Sequence, residues 1–340
     1  MSIELSVVLI SKNQDWNITR LIESVLSATK EIQSREILLV DSASEDQTIE
    51  LAKQYPIDIY RLQPGSHLTP AAGRYIGFKH THGEFTLFLD GDMELCPYWL
   101  SKALDMIKKR KDVAAITGSR IDLPLATTSD EKMKIKQIAN DDGKEVEKGG
   151  GAAMYRRATL LKIGQFNPYL HSDEEPDLCL RLRYSGYKIL KLRQTIVLHY
   201  SDPSSKHATK IARWKRKLYM GAGQNLRYNF QTEFFWPYLK ERGFAFAPIF
   251  AILVGILATV WYAKTKQSLP LFLWFSTFVL FFLIEARRKG SFYAAVGSLL
   301  HRILIIDGTI RGFLKIPLDP KSYPEDFEVV QVYTNKGEIS

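Results

Sequence analysis

Asp90 and Asp92 stand one residue apart, with Gly91 between them, at the end of the apolar run Phe85-Thr86-Leu87-Phe88-Leu89. So short a run, rich in aromatic and branched residues, reads as a buried strand and not a helix. In an open parallel sheet, ligands lie beyond the carboxyl ends of the strands, so both carboxylates are expected at a binding edge. Carboxylates at i and i+2 can converge on one hard cation, and the glycine leaves the backbone free to turn between them. Mg²⁺ or Mn²⁺, held by one or two carboxylates and by substrate phosphates, is the usual arrangement for a nucleoside-diphosphate site. Asp-Gly is also a common turn pair, so the rest of the chain has to decide.

Four further places could do chemistry. Glu174-Glu175-Pro176-Asp177 precedes a helical pattern at 178–185. A carboxylate there could take a proton from an acceptor hydroxyl, although acids before a helix also suit its dipole. Asp41 ends the apolar run 36–40 and opens the polar turn Ser42-Ala43-Ser44-Glu45-Asp46-Gln47-Thr48. It could accept hydrogen bonds from a nucleotide base or ribose, or from its own turn. Asp46 suits a helix cap equally well. Arg74, within the helical stretch 70–79, could reach a phosphate bidentately or simply be a solvated charge. His199 ends a short strand, placed either as a neighbour of the metal or as a packed side chain.

The elements that must position these residues follow from periodicity. Strands at 5–10, 36–40, 57–61 and 85–89 alternate with helices at 17–28, 48–54 and 70–79. That is the α/β pattern of a doubly wound sheet. A helix at 99–110 and a strand at 113–119 follow. A polar loop with a helix in it is expected over 122–147, and Gly149-Gly150-Gly151 leads into another strand. Short strands are expected at 187–192 and 195–199.

After residue 200 the character changes. Residues 204–227 carry Lys206, Lys210, Arg213, Lys215, Arg216, Lys217 and Arg227 between aromatic and aliphatic side chains, a basic helix suited to lying on a membrane or covering the site. Residues 244–262 and 269–284 hold no charge and read as a transmembrane helical hairpin, its second helix extending to about 286. The apolar stretch 291–314 contains His301, Arg302, Asp307 and Arg311, which favours an interfacial or re-entrant segment. The division expected is a catalytic domain over 1–232, a membrane region over 233–316 and a loosely held polar tail over 317–340.

The 340 residues carry a net charge of +9, so acidic partners are expected, nucleotide phosphates and anionic membrane lipids first. No nucleic-acid-binding signature is present, and no nucleic-acid partner is expected. Two cysteines, Cys96 and Cys179, are too few and too far apart for a disulfide framework, which suits a reducing cytosol. The opening Met1-Ser2-Ile3-Glu4-Leu5 has no basic region or cleavage site, so no signal peptide is expected.

Taken in order, six pieces resemble the family 2 glycosyltransferases, which have the GT-A fold. They are Val7-Val8-Leu9-Ile10-Ser11-Lys12-Asn13, the turn from Asp41 to Thr48, and Ala72-Gly73-Arg74-Tyr75-Ile76-Gly77. Asp90-Gly91-Asp92 matches the DXD motif, and residues 150–157 follow. Last comes Glu174-Glu175-Pro176-Asp177-Leu178-Cys179-Leu180-Arg181, with Glu175 where the family motif has an aspartate. Tyr75 stands where an asparagine is common, and Ile10 where proline is.

The resemblance implies an inverting, metal-dependent transferase using a UDP- or GDP-sugar. Asn13, Asp41, Arg74, Asp90 and Gly91 would meet the nucleotide sugar, with Asp41 toward a uracil-type base. Asp90 and Asp92, with His199 near, would hold Mn²⁺ or Mg²⁺. Glu175 would be the base, with Glu174 and Asp177 as rivals. Gln224-Asn225-Leu226-Arg227 resembles the tail of the relatives' catalytic domain.

The acceptor would be a saccharide or a polyprenyl-linked molecule, in cell-surface polysaccharide or glycolipid assembly. The enzyme would be a multi-pass protein of the plasma (inner) membrane with its catalytic domain in the cytosol. Two other readings stay open: a polyprenyl-phosphate glycosyltransferase, whose ionised acceptor needs no base, and a non-catalytic nucleotide-binding membrane scaffold.

Overall fold

The computed structural model describes residues 3–65, 67–125, 127, 143–201, 210–243 and 246–333. Its contacts divide the chain into two units, Met1–His207 with Leu318–Ser340, and Ala208–Pro317.

The first unit is built on one sheet. Strands β1 (Leu5–Ser11), β2 (Arg35–Asp41), β3 (Asp58–Leu62) and β4 (Phe85–Asp90) are parallel to one another. Helices α1 (Ile18–Thr29), α2 (Thr48–Ala52) and α3 (Pro70–Lys79) connect them. The spatial order β3-β2-β1-β4 reverses between β1 and β4, which makes that crevice the switch point where such sheets bind ligands. Register places Ser11 opposite Asp41 and Ile10 opposite Asp90. Asp41, Ser11 and Asp90 therefore line up along the carboxyl edge.

Every residue of β1 is buried, as expected for a strand covered on both faces. Leu5, Val7 and Leu9 meet the stripe Ile18, Leu21, Ile22 and Val25 of α1. Burying each such side chain fully contributes about 1.5–3 kcal/mol. Val8 and Ile10 alternate to the other face and meet α3. A Cβ at Gly77 would lie 2.2 Å from a Val8 methyl, and one at Gly73 2.8 Å from an Ile10 methyl. The two glycines let α3 sink against β1, and Arg74 sinks with it.

Beyond β4 the sheet is mixed. It includes β5 (Met93–Leu95), β6 (Val113–Leu123), β7 (Lys144–Glu145), β8 (Ala153–Arg156) and β9 (Lys188–Tyr200). Helix α4 (Pro97–Lys109) follows β5, and α5 (Arg157–Ile163) follows β8. The strands expected at 187–192 and 195–199 are one strand, β9, which crosses the gap with register shifts against β6. Helix α6 is Glu174–Tyr184, so the acids lie inside its first turn and not ahead of it. The dipole favours them there, and a first-turn proline loses no helical hydrogen bond. Most of the loop expected over 122–147 lies outside the described residues.

The expectation of a loose tail is corrected. Phe327–Gln331 forms β10, antiparallel to β3. Phe327 stacks on Tyr60 at 4.8 Å, and the Gln331 amide donates to the carbonyls of Tyr55 and Ile57. The buried Tyr323 donates to the His67 carbonyl at 3.1 Å. The open backbone of the outer strand β3 supplies the reason, because an unpaired edge is a template for one more strand.

The second unit is helical. It contains α7 (Lys210–Lys215), α8 (Gly221–Asn229), α9 (Phe235–Arg242), α10 (Ala247–Thr265), α11 (Leu269–Lys289) and α12 (Phe292–Leu314). The single basic helix expected over 204–227 is two helices among the described residues, and Lys217 between them has φ of 63°. Lys206 lies outside the described residues. Both α11 and α12 are long and apolar enough to cross a membrane, and α10 holds the shorter apolar stretch Ile249–Thr265. Gln224, Asn225 and Arg227 lie on α8 of this unit, and Arg227 sits over the rings of Phe230 and Phe313.

Candidate active site

The Asp90-Gly91-Asp92 turn is held from β1 and α1. Gly91 N–H donates to the Ile10 carbonyl at 2.8 Å. The buried Asn17 amide donates to the carbonyls of Gly91 and Met93, at 2.9 and 3.0 Å. A Cβ on Gly91 would fall 2.6 Å from the Gln14 side chain, so the turn needs glycine for close approach. Asn17 occupies the N-cap position of α1 but makes no capping bond, because its side chain is spent on the turn. Sequence reasoning read it only as the head of a helix. Arg20 donates to Asn17 Oδ1 at 2.7 Å and lies over the Tyr200 ring, and Tyr200 in turn donates to Glu94 at 2.6 Å.

Arg74 joins residues far apart in sequence. Its Nη2 donates to Asp90 Oδ1 at 2.6 Å and its Nη1 to Glu174 Oε1 at 2.9 Å. Its side chain is only 4% exposed, against 32% for Asp90 and 13% for Glu174. Arg74 is therefore not a solvated helix charge; it is a buried clamp between two carboxylates, while Asp90 still faces solvent. Burial, with the charges of Asp92 and Glu174 adding and Arg74 opposing, pushes the Asp90 carboxyl up to about 6. Burial also raises Glu174, again against Arg74.

The glycine loop is held to the same place by Glu175. Its Oε1 accepts from the backbone N–H of Gly149 and Gly150 and from the Cys179 thiol. Gly150 has φ of +80°, the left-handed region that favours glycine. A Cβ on Gly151 would meet Asp90 Oδ2 at 2.9 Å, so the loop passes directly beside that carboxylate. Oε2 of Glu175 has no hydrogen-bond partner among the described residues. Asp177, expected as a rival base, is committed to Arg181 at 2.8 Å, and Arg181 also binds the carbonyls of Ile163, Gly164 and Gln165.

Strand β9 brings His199 opposite Met93 on β5 and opposite Asp122 on β6. Its Nε2 lies 3.2 Å from Asp92 Oδ2 and its Nδ1 2.8 Å from Asp122 Oδ1. The hydrogen bond to Asp92 raises the imidazole above its usual range. The other Asp92 oxygen, Oδ1, is buried with no hydrogen-bond partner among the described residues. A buried carboxylate oxygen left unpaired beside a second carboxylate suits a hard cation. Among the described residues no three His, Cys, Asp or Glu side chains already converge as a ligand set, so phosphate oxygens would have to complete the coordination.

Asn13 and Asp41 are hydrogen-bonded within the loops that follow β1 and β2. The Asp41 carboxylate is fully buried and accepts from Ser11 Oγ at 3.0 Å and from the Ser44 N–H at 2.7 Å, with Ser44 Oγ as a third donor. Asn13, at φ of 54°, donates its N–H to Ser44 Oγ and accepts from Glu45 N–H. Asp46 accepts from Asp15 N–H and from the N–H and hydroxyl of Thr48. Together they lock the loop after β1 to the loop after β2.

Three comparisons with known proteins bear on this arrangement. The family described as glycosyl transferase family 2 matches residues 6–164. Glycosyltransferase AglE of Haloferax volcanii is 30% identical over 211 residues, which are 58% of this chain and 67% of that protein. This chain thus spans about two thirds of that relative's length. Among solved structures, S. aureus TarS 1-349 in complex with UDP-GlcNAc superposes with a TM-score of 0.52 at 16% identity, covering 85% of this chain and 93% of that one. The mannosyltransferase PcManGT from Pyrobaculum calidifontis, in complex with GDP-Man and Mn²⁺, gives 0.59 at 14% identity, over 92% and 88%. At such identities the two structures speak for the fold.

Proposed function

The chain belongs to glycosyl transferase family 2, and on that premise we propose that it moves a sugar, with inversion, from a nucleoside-diphosphate sugar to an acceptor at the cytoplasmic face of a membrane. The observation that carries this reading is the meeting of Asp90, Asp92, Arg74, Glu174 and the Gly149–Gly151 loop at the sheet's switch point. UDP-GlcNAc and GDP-Man in structures of the same fold support a UDP- or GDP-sugar as donor.

Asp90 and Asp92 would hold Mn²⁺ or Mg²⁺ together with the donor's diphosphate. A divalent cation there supplies Lewis-acid stabilisation of the charge on the departing nucleoside diphosphate. His199 lies against one Asp92 oxygen, and the other is buried without a hydrogen-bond partner among the described residues. Arg74 holds Asp90 in place and lowers the cost of crowding three carboxylates.

Glu175 acts as general base through Oε2, with Oε1 anchored on the glycine loop. The acceptor hydroxyl oxygen attacks the anomeric carbon as the bond to the diphosphate oxygen breaks, and the hydroxyl proton passes to Glu175. One displacement inverts the configuration. Glu174 is the positioning partner of Arg74. Asn13 and Gly91 would meet the nucleotide side of the donor along the β1 and β4 ends, and Asp41 would shape that side through the loops it fixes.

The acceptor is a saccharide or a polyprenyl-linked sugar, in cell-surface polysaccharide or glycolipid assembly. The long apolar helices support a multi-pass place in the plasma membrane. The test is a panel of nucleotide sugars screened by thermal shift with and without Mn²⁺, followed by transfer assays. A donor that raises the midpoint only with the metal is expected. A bound donor at a hundredfold excess over Kd adds about 2.7 kcal/mol. No shift with any donor would overturn the reading.

A further inference from the structure

The chain leaves the first unit after His207 and re-enters it at Leu318, and β10 then hydrogen-bonds to β3 in the same sheet as β1. A water-soluble sheet lies on one side of a bilayer, because lipid cannot satisfy its edges and loops. Both ends of the Ala208–Pro317 unit therefore emerge on the same side, and the crossings between them must be even in number. Among the described residues three helices are candidates by apolarity, α10, α11 and α12, and α7, α8 and α9, of six, nine and eight residues, are too short. At least one of these three cannot cross.

We propose that α10 and α11 cross as a hairpin and that α12 lies lengthwise in the interface, against the head groups of anionic lipid on the catalytic side; this rests on the membrane reading above. Three observations select α12. First, it carries His301, Arg302, Asp307 and Arg311 along its length, whereas residues 244–262, which include most of α10, carry no charge.

Second, a basic segment runs alongside it. Lys210 donates to the Gly297 carbonyl at 2.9 Å, Trp214 donates to Asp307, and Gly308 and Gly312 take Tyr219 and Met220 at backbone contact. If α12 spanned the bilayer, exposed Arg213, Lys215, Arg216 and Lys217 would be carried into hydrocarbon beside it. At the head-group level the same cations face anionic lipid.

Third, Val296, Leu300, Ile303, Ile310 and Leu314 are exposed and recur every three, four or seven residues, so they share one side of α12. Such a stripe is what a helix lying in an interface buries. Helices α10 and α11 pack on each other as a hairpin, with Gly255 against the Trp274 ring and Trp274 Nε1 donating to the Ala251 carbonyl at 2.9 Å, while α12 meets α11 at Glu285, which accepts from Ser298 at 2.8 Å, and at Phe281, under Arg302.

The test uses the full chain with Cys96 and Cys179 replaced by Ala and single cysteines introduced as Gln267→Cys, Lys289→Cys and Glu328→Cys. Intact cells expressing each variant are treated with a membrane-impermeant maleimide, before and after permeabilisation. Labelling of Gln267→Cys in intact cells, and of the other two only after permeabilisation, is expected. Labelling of Lys289→Cys in intact cells, with Gln267→Cys and Glu328→Cys protected, would make α11 and α12 the crossing pair and overturn the proposal. Protection of Lys289→Cys with labelling of both others would mean three crossings and overturn it too. Protection of all three would mean that no helix crosses, and the membrane reading itself would fail.

Discussion

Asp41 and Asp90 end neighbouring parts of one sheet edge, yet they live under opposite conditions. Asp41 is fully buried and both its oxygens are taken, by Ser11 and Ser44. Asp90 keeps a third of its surface, shares one arginine with Glu174 and is pushed up to about 6 by burial and crowding. Its neighbour Asp92 has a buried oxygen with no hydrogen-bond partner among the described residues. A satisfied carboxylate rigidifies loops; a crowded, incompletely paired one is stabilised by what binds to it. Under the proposed function, the difference assigns the incoming cation to the β4 side of the crevice, with the β1 and β2 loops as its fixed wall.

Four substitutions break or sharpen that contrast. The largest effect is expected at Asp92. Asp92→Asn should take transfer to background, a loss of at least about a thousandfold for several kcal/mol of lost charge stabilisation. The melting temperature without metal should hold or rise, because a crowding charge has gone. A drop in stability with activity kept would reverse the assignment.

Next comes Glu175→Gln. The amide oxygen can still accept from Gly149 and Gly150, so the loop should stay in place while basicity is lost. A fall in kcat of about 10²–10⁴ with an unchanged donor Kd is expected. A near-normal kcat would point to an acceptor that is already ionised, such as a lipid phosphate.

Arg74→Met tests the clamp. It leaves Asp90 and Glu174 facing each other without their shared cation. A cost of about 2–3 kcal/mol is expected, less than for a fully buried pair because Asp90 stays partly solvated. That is about 4–12 °C in melting temperature. Added Mn²⁺ should recover part of the loss through Asp90, and a melting curve with and without the ion reads it.

The smallest effect is expected at Asp41→Asn, about 1–2 kcal/mol, since the serine hydroxyls can turn to accept from the new amide. Donor affinity should change little if Asp41 is a wall. Isothermal titration that shows a large loss of donor binding at an unchanged melting temperature would instead place Asp41 on the nucleotide and erase the contrast.

Much of this molecule was legible in the order of its residues. Alternating runs from Leu5 to Asp90 spelled a doubly wound sheet, because strands covered on both faces are apolar throughout and helices between them show a 3.6-residue stripe. The Asp90-Gly91-Asp92 turn was legible for the same reason, since a strand's last residues face the crevice. Long uncharged runs marked α10 and α11 as apolar helices.

What the sequence left open concerns partners distant along the chain. Glu174 lies a hundred residues from Arg74, and nothing local to either says that they meet. Asn17 looks like an ordinary cap until the carbonyls of Gly91 and Met93 are brought to its amide. His199 reaches Asp92 and Asp122 only because β9 runs unbroken past the expected gap. The tail looked polar and loose, and only the open edge of β3 made it a strand. Local propensity and periodicity are carried by neighbours in sequence; ion pairs and edge pairing are decided by contacts that exist only once the chain has closed on itself.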